Sequence, residues 1–171
     1  MMGNPCFKLV AGSFAAMCIV ACNSGGGPAA PAGCQSITGG LSTVSSTGSV
    51  ANTGAAADGN AASYASATFS PVSQSASITA TAQDGVVYPA GSRAGAFVTQ
   101  LNQGTASTTT VTTLLDGQPV DSSSPANNAS EDDFSGLIAT APFDAVRVSF
   151  TDTGDAAGSD YRVFEICSDV K

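Results

Sequence analysis

The chain has 171 residues, of which five are Lys or Arg, thirteen are Asp or Glu and none is His. Without histidine there is no Ser–His or Cys–His nucleophile pair and no histidine-bound metal. A formal charge of −8 argues against nucleic acid, and against an anionic membrane surface, as electrostatic partners.

Met1 to Lys8 carries one basic side chain, Lys8, and no acid. Leu9 to Ala21 (LVAGSFAAMCIVA) is uncharged and runs straight into Cys22. An apolar run of about thirteen residues suits the core of a signal peptide and falls short of the roughly 20 needed to span a bilayer. A buried helix is the competing explanation, but the Gly/Pro-rich stretch that follows leaves it nothing nearby to pack on. The tetrad Ile19-Val20-Ala21-Cys22 resembles the lipobox of bacterial lipoproteins, with an aliphatic residue three before the cysteine and small or aliphatic residues between. Cys18 fits worse, because bulky Met17 precedes it. The resemblance implies removal of residues 1–21 and acylation of Cys22. Plain secretory cleavage after Ala21, without lipid, is the alternative. Several acyl chains would anchor the protein stably where one would not. Asn23, rather than Asp, follows the cysteine, which implies an outer-membrane address in a Gram-negative envelope.

Residues 22–33 form the lipid-anchored tether, of which Asn23 to Gly33 is NSGGGPAAPAG. Treated as a flexible coil, it spans about 20 Å. The folded domain is expected over residues 34–171, within a mature chain of about 150 residues, long enough for one core. With Lys8 gone, four cations face thirteen acids in the mature protein. Cys34 and Cys167 are the cysteines left to the domain. In an oxidising compartment such a pair is most simply a disulfide, closing a loop of about 130 residues; two unpaired buried thiols are the alternative.

Beyond the tether no stretch keeps helical periodicity, and short β-type runs between turn signals recur. Ser36 to Val44 is a weak first strand. Ser63 to Phe69 alternates, with Ala65, Ala67 and Phe69 on one face. Ala76 to Ala82 places Ile78, Ala80 and Ala82 together. Gly95 to Leu101 and Thr108 to Leu115 are dense in β-branched and aliphatic residues and read as central strands. Asp116-Gly117 then predicts a tight hairpin turn. Asp121 to Asp133 reads as a polar loop. Ala145 to Phe150 sends Val146, Val148 and Phe150 inward, with Arg147 facing water. Tyr161 to Ile166 closes the fold, Tyr161, Val163 and Glu165 on one face, Arg162, Phe164 and Ile166 on the other. About eight strands without helices between them predict an all-β antiparallel sandwich, jelly roll or barrel.

Three patterns then fall in a recognisable order. Asp58-Gly59-Asn60, followed by Ser63-Tyr64-Ala65, comes first; Pro89-Ala90-Gly91-Ser92 leads into Ala94 to Val98; Pro142 to Val148 precedes Arg162-Val163-Phe164-Glu165. Together they resemble the galactose-binding-like family, the jelly roll of discoidin and coagulation-factor type C domains and of many carbohydrate-binding modules. The resemblance covers roughly Val50 to Asp169. It implies a non-catalytic binding module for a glycan or other surface ligand, and first and last cysteines joined as in the discoidin branch. It also implies a structural calcium held by Asp58, Asn60, Ser63 and Glu165, oxygen donors of the kind hard cations take. Without the resemblance, Asp58-Gly59-Asn60 is a turn and Glu165 a solvated strand residue. Sugar-binding members present aromatic platforms, whereas this chain has no Trp and only Tyr64, Tyr88 and Tyr161. The alternative function is therefore a structural or protein-interaction envelope lipoprotein without a small-molecule site.

Asp152-Thr153-Gly154 copies the aspartic-protease triplet, but that chemistry needs a second carboxylate and more downstream chain. Its surroundings (TDTGDAAGSD) read as a polar turn, in which Asp152, Asp155 and Asp160 are solvated acids. Glu131, Asp132 and Asp133 are read the same way.

Overall fold

A computed structural model describes residues 35–36, 44–60, 62–69, 74–82, 85–101, 107–124, 133–152 and 160–169. The leader, Cys22, the tether and Cys34 lie outside the described residues. Two antiparallel sheets face one another, and among the described residues there is no α-helix. One sheet has the order β3 (Val50–Ala51), β4 (Ala65–Thr68), β11 (Asp160–Asp169), β6 (Arg93–Leu101), β9 (Asp133–Ile138), with β1 (Gln35–Ser36) also on β11. The other has the order β2 (Val44–Thr47), β5 (Gln74–Thr81), β10 (Ala145–Asp152), β7 (Ser107–Leu115), β8 (Gln118–Ser123). The expected all-β jelly-roll sandwich is the fold.

Alternation puts the core where the sequence predicts it. Ala65 and Ala67 of β4, Ile78 and Ala80 of β5, and Val146, Val148 and Phe150 of β10 are all buried. Val148 lies between Ile78 and Val111 in register, so aliphatic side chains meet across three adjacent strands. The sheets are joined by rings. Phe150 of β10 stacks on Tyr161 of β11 at 4.4 Å between centroids, and Tyr161 meets Phe69 at 5.6 Å.

Several expectations need correction. Of the expected first strand, Ser36 belongs to β1 in one sheet and Val44 to β2 in the other, and residues 37–43 lie outside the described ones. The segment Asp121 to Asp133 is not wholly loop, since β8 runs to Ser123 and β9 begins at Asp133. Asp152 is no turn residue either; it ends β10 and is buried. In β11 the register slips between Val163 and Glu165, as a β-bulge does. An extra residue reverses the alternation beyond it, so Ile166, not Glu165, joins Tyr161 and Val163 in the core. Arg147 also does more than face water, because its Nε–H donates to Thr79 Oγ1 at 3.3 Å across the strand pair.

Strand β9 is held by glycines. Gly95 of β6 and Gly136 of β9 are cross-strand partners, and the Phe134 ring occupies the space over both. Phe97 packs on Phe134 at 5.3 Å, and the Arg93 guanidinium sits 4.9 Å from the same ring. A large ring covering paired glycines restores the apolar contact the missing side chains would have made.

Two aspartates pin loops to the second sheet. Asp116 and Gly117 turn from β7 to β8 with φ of 51° and 77°, the left-handed pair that tight hairpins need. Asp144 Oδ2 accepts the Asp116 N–H at 3.0 Å. Farther along, Asp121 accepts both the Thr140 hydroxyl, at 2.7 Å, and the Thr140 N–H, at 2.8 Å. These bonds, the hydroxyl's above all, hold its carboxyl below the ordinary 3.8. A depressed folded-state value means that stability is fully present above the unfolded value and is lost as pH falls through the folded one. Asp121→Asn is therefore expected to flatten the acid limb of the stability curve below about pH 4. Urea titrations of both proteins from pH 6 to 2 check it, and superimposable acid limbs would reject the clamp.

Candidate functional site

Beside β11, the chain between β3 and β4 builds one corner of the sandwich. A short 3-10 turn, Thr53–Ala57, buries Ala56 and Ala57 and delivers Asp58 to the surface. The loop then closes on itself. Asp58 Oδ1 accepts the Asn60 N–H at 2.9 Å, and Asp58 Oδ2 accepts the Ser63 hydroxyl at 2.7 Å. Asn60 Oδ1 accepts the Ala62 N–H at 3.1 Å, and the Asn60 carbonyl lies 2.9 Å from Ser63 Oγ. These are Asx-type turns, as the residue types predict. Gly59 has φ of 75°, open only to glycine without strain, and its N–H donates to Glu165 Oε2 at 3.1 Å.

Glu165 is fully buried, not a solvated strand residue. The fold thus brings Asp58, Asn60, Ser63 and Glu165 to one corner, although Glu165 follows Gly59 by 106 positions. The bulge after Val163 is what releases Glu165 from the core alternation. As donors these residues are all oxygen and include two carboxylates, which suits a hard cation in kind. Among the described residues no cluster of three or more His, Cys, Asp or Glu gathers, so neutral oxygens would have to complete any shell.

Next to this corner lies a shallow groove of about 620 Å³, lined by Asn52, Thr53, Gly54, Ala55, Ser63 and Tyr64. Asn52 is exposed and has a left-handed backbone (φ 54°), a conformation its short amide tolerates. Thr53 Oγ1 lies 3.0 Å from Ser46 Oγ and is fixed by it. Tyr64 forms an edge-on pair with Phe164 at 5.6 Å and carries Arg162 at 4.7 Å from its ring centroid. Tyr161 is fully buried, and Tyr88, also buried, stacks on Phe143 at 5.1 Å, so both serve packing. Tyr64 packs as well, against Phe164 and Arg162, but it is only half-buried and lines the groove. Sequence alone does not separate Tyr64 from the other two, because strand alternation cannot tell an outward aromatic that packs from one that lines a cleft.

Other residues singled out by sequence have other fates. Asp160 opens β11 and accepts the Thr68 hydroxyl at 3.2 Å. Asp155, Glu131 and Asp132 lie outside the described residues, as do Cys22 and Cys34. Cys167 is buried in β11 opposite Ser36, two positions after Cys34.

No family model matches the sequence, and no curated protein matches it. Solved structures do. A mutant of the lectin binding domain of Lectinolysin complexed with Lewis b superposes with a TM-score of 0.55 at 15% identity, covering 80% of this chain and 96% of that one. The lectin domain of Lectinolysin complexed with Lewis B antigen gives 0.53 at 16%, covering 77% and 94%. At these identities the likeness speaks of architecture: the chain has the jelly-roll fold of galactose-binding-like domains.

Proposed function

We propose that this chain is a lipid-anchored, non-catalytic envelope protein that displays a glycan-binding jelly roll. The observation that carries the binding function is the groove beside Tyr64, where an aromatic ring adjoins the exposed amide of Asn52 and small polar residues. Sugars need that mixture, an apolar ring to lie against and polar groups to fix orientation. The described architecture is shared with lectin domains that hold Lewis antigens, which supports the same class of ligand. Glycan arrays with the folded domain are the test. Binding is expected for some oligosaccharides and should weaken about tenfold or more in Tyr64→Ala, the loss of one stacking contact and its neighbours. An array without a single hit, or hits indifferent to Tyr64→Ala, would leave the protein-interaction alternative standing. That alternative is favoured by Val86, Val87 and Ile138, which are 42%, 51% and 59% exposed.

The leader supplies the address. Ile19-Val20-Ala21-Cys22 supports cleavage before Cys22, acylation of its thiol, and a tether to the outer membrane. Cys34 and Cys167 are proposed to form a disulfide, for which the pairing of β1 with β11 is suitable, since it brings the chain next to Cys34 alongside Cys167. The intact mass of membrane-extracted protein reads cleavage, acylation and cysteine state together.

A structural calcium at Asp58, Asn60, Ser63 and Glu165 completes the proposal. Bound there, the ion would neutralise the two carboxylates and tie the loop to β11. Millimolar calcium is expected to raise Tm by a few degrees, in line with binding to the native state alone. Asp58→Asn, a change at an exposed position, should erase the rise. Equal Tm with calcium and with chelator would remove the ion from the account.

A further inference from the structure

Arginines are scarce here, and the described ones are engaged differently. The whole chain has five Lys and Arg against thirteen acids, so each cation has acids in excess to pair with. Arg147 donates to Thr79, and Arg93 lies over Phe134. Arg162 sits over Tyr64, the ring that lines the groove, and among the described residues no carboxylate and no hydrogen-bond acceptor meets its guanidinium. The obvious partner is close by. Asp160 is two positions away on the same face of β11, yet its carboxylate accepts from Thr68. Asp58, one residue before the Gly59 turn, has each carboxylate oxygen on a donor of its own loop.

Stacking engages the flat face of a guanidinium and leaves the N–H donors around its edge available. Those donors form a fork matched to a carboxylate, and a charge-assisted pair is about twice as strong as a neutral hydrogen bond. We infer that the groove beside Tyr64 selects an acidic glycan, with the sugar ring against Tyr64 and its carboxylate on Arg162. This rests on the groove binding glycans at all, and it names the class: uronic or sialic acid residues rather than neutral hexoses. In a chain of net charge −8, Arg162 is the described cation left to oppose the general repulsion of an acidic ligand, so the preference should depend on it.

Matched pairs of ligands provide the test: galactose and galacturonate oligosaccharides of equal length, titrated calorimetrically into the full mature chain at low and high salt. The acidic member is expected to bind about tenfold more tightly, with the margin shrinking in salt. Arg162→Gln should bring the two ligands level, and Arg162→Lys should restore part of the margin. Arg93→Gln, on a different ring, should keep it whole. Equal binding of both ligands by the unaltered protein, or a preference that survives Arg162→Gln, overturns the inference and leaves glycan binding intact. Binding of no acidic oligosaccharide, uronic or sialylated, overturns the inference, and a glycan array without a single hit overturns both.

Discussion

Replacing Phe150 with alanine should cost about 3–5 kcal/mol of folding stability, the usual range for removing a fully buried aromatic ring. Phe150 has no solvent exposure and stacks on Tyr161, which is equally buried and belongs to the opposite sheet. The lost ring therefore opens a cavity between the sheets and also removes an aromatic pair, itself worth about 0.5–1.5 kcal/mol beyond area. Against a total of about 5–15 kcal/mol for a natural domain, the variant stands near its unfolding threshold. Phe150→Leu refills most of the volume and should cost clearly less. Urea titrations of the three proteins measure both differences. A loss below about 1 kcal/mol for the alanine variant would show that the stack does not bear on cohesion between sheets.

Gly95→Ala is the second large effect, and it arises from overcrowding instead of a cavity. A Cβ at Gly95 would meet the Ser135 carbonyl oxygen, stand 2.7 Å from Gly136 Cα and 2.6 Å from Phe134 Cζ. The ring can swing aside, but the other two atoms are backbone of the paired strand and cannot. The expected cost is about 1–3 kcal/mol or more, with β9 displaced from the sheet edge. Hydrogen exchange localises the damage: amides of Asp133–Ile138 should lose protection while those of β10 keep theirs. Gly54→Ala is the matching control, since nothing lies within 4 Å of its added Cβ. Its stability should stay within about 0.5 kcal/mol of the parent. Full protection of β9 in Gly95→Ala would disprove the close glycine pairing.

Both effects touch features of unequal visibility in the sequence. Phe150 belongs to AVRVSF, whose strict alternation of apolar and polar residues by itself marks an inward face. Gly95 opens a run that reads as a strand, yet nothing in the run says that a glycine on another strand lies opposite. Strand β9 (DFSGLI) is hidden for the same reason. Gly136 lowers its strand propensity, and the ring that compensates comes into play only once Phe134 lies across the β6–β9 pair.

The corner with the groove divides along similar lines. Asp58-Gly59-Asn60 is legible as a turn, because Asp and Asn bond their own backbone and Gly tolerates positive φ. The order of the three motifs points to the jelly roll, and Glu165 to this corner. What no local pattern reveals is the bulge that follows Val163. It buries Glu165 against the Gly59 N–H and sends Ile166 to the core, opposite to plain alternation.

Local chemistry thus determined the strand faces, the hairpin at Asp116-Gly117 and the absence of histidine-based catalysis, because each depends on neighbouring residues or on composition. Tertiary structure alone decided that Tyr64 borders a groove while Tyr161 fills the core, and that Arg162 stacks on Tyr64 with no described acid against it. Those outcomes depend on register between strands up to a hundred residues apart, where one bulged position exchanges the two faces of a strand.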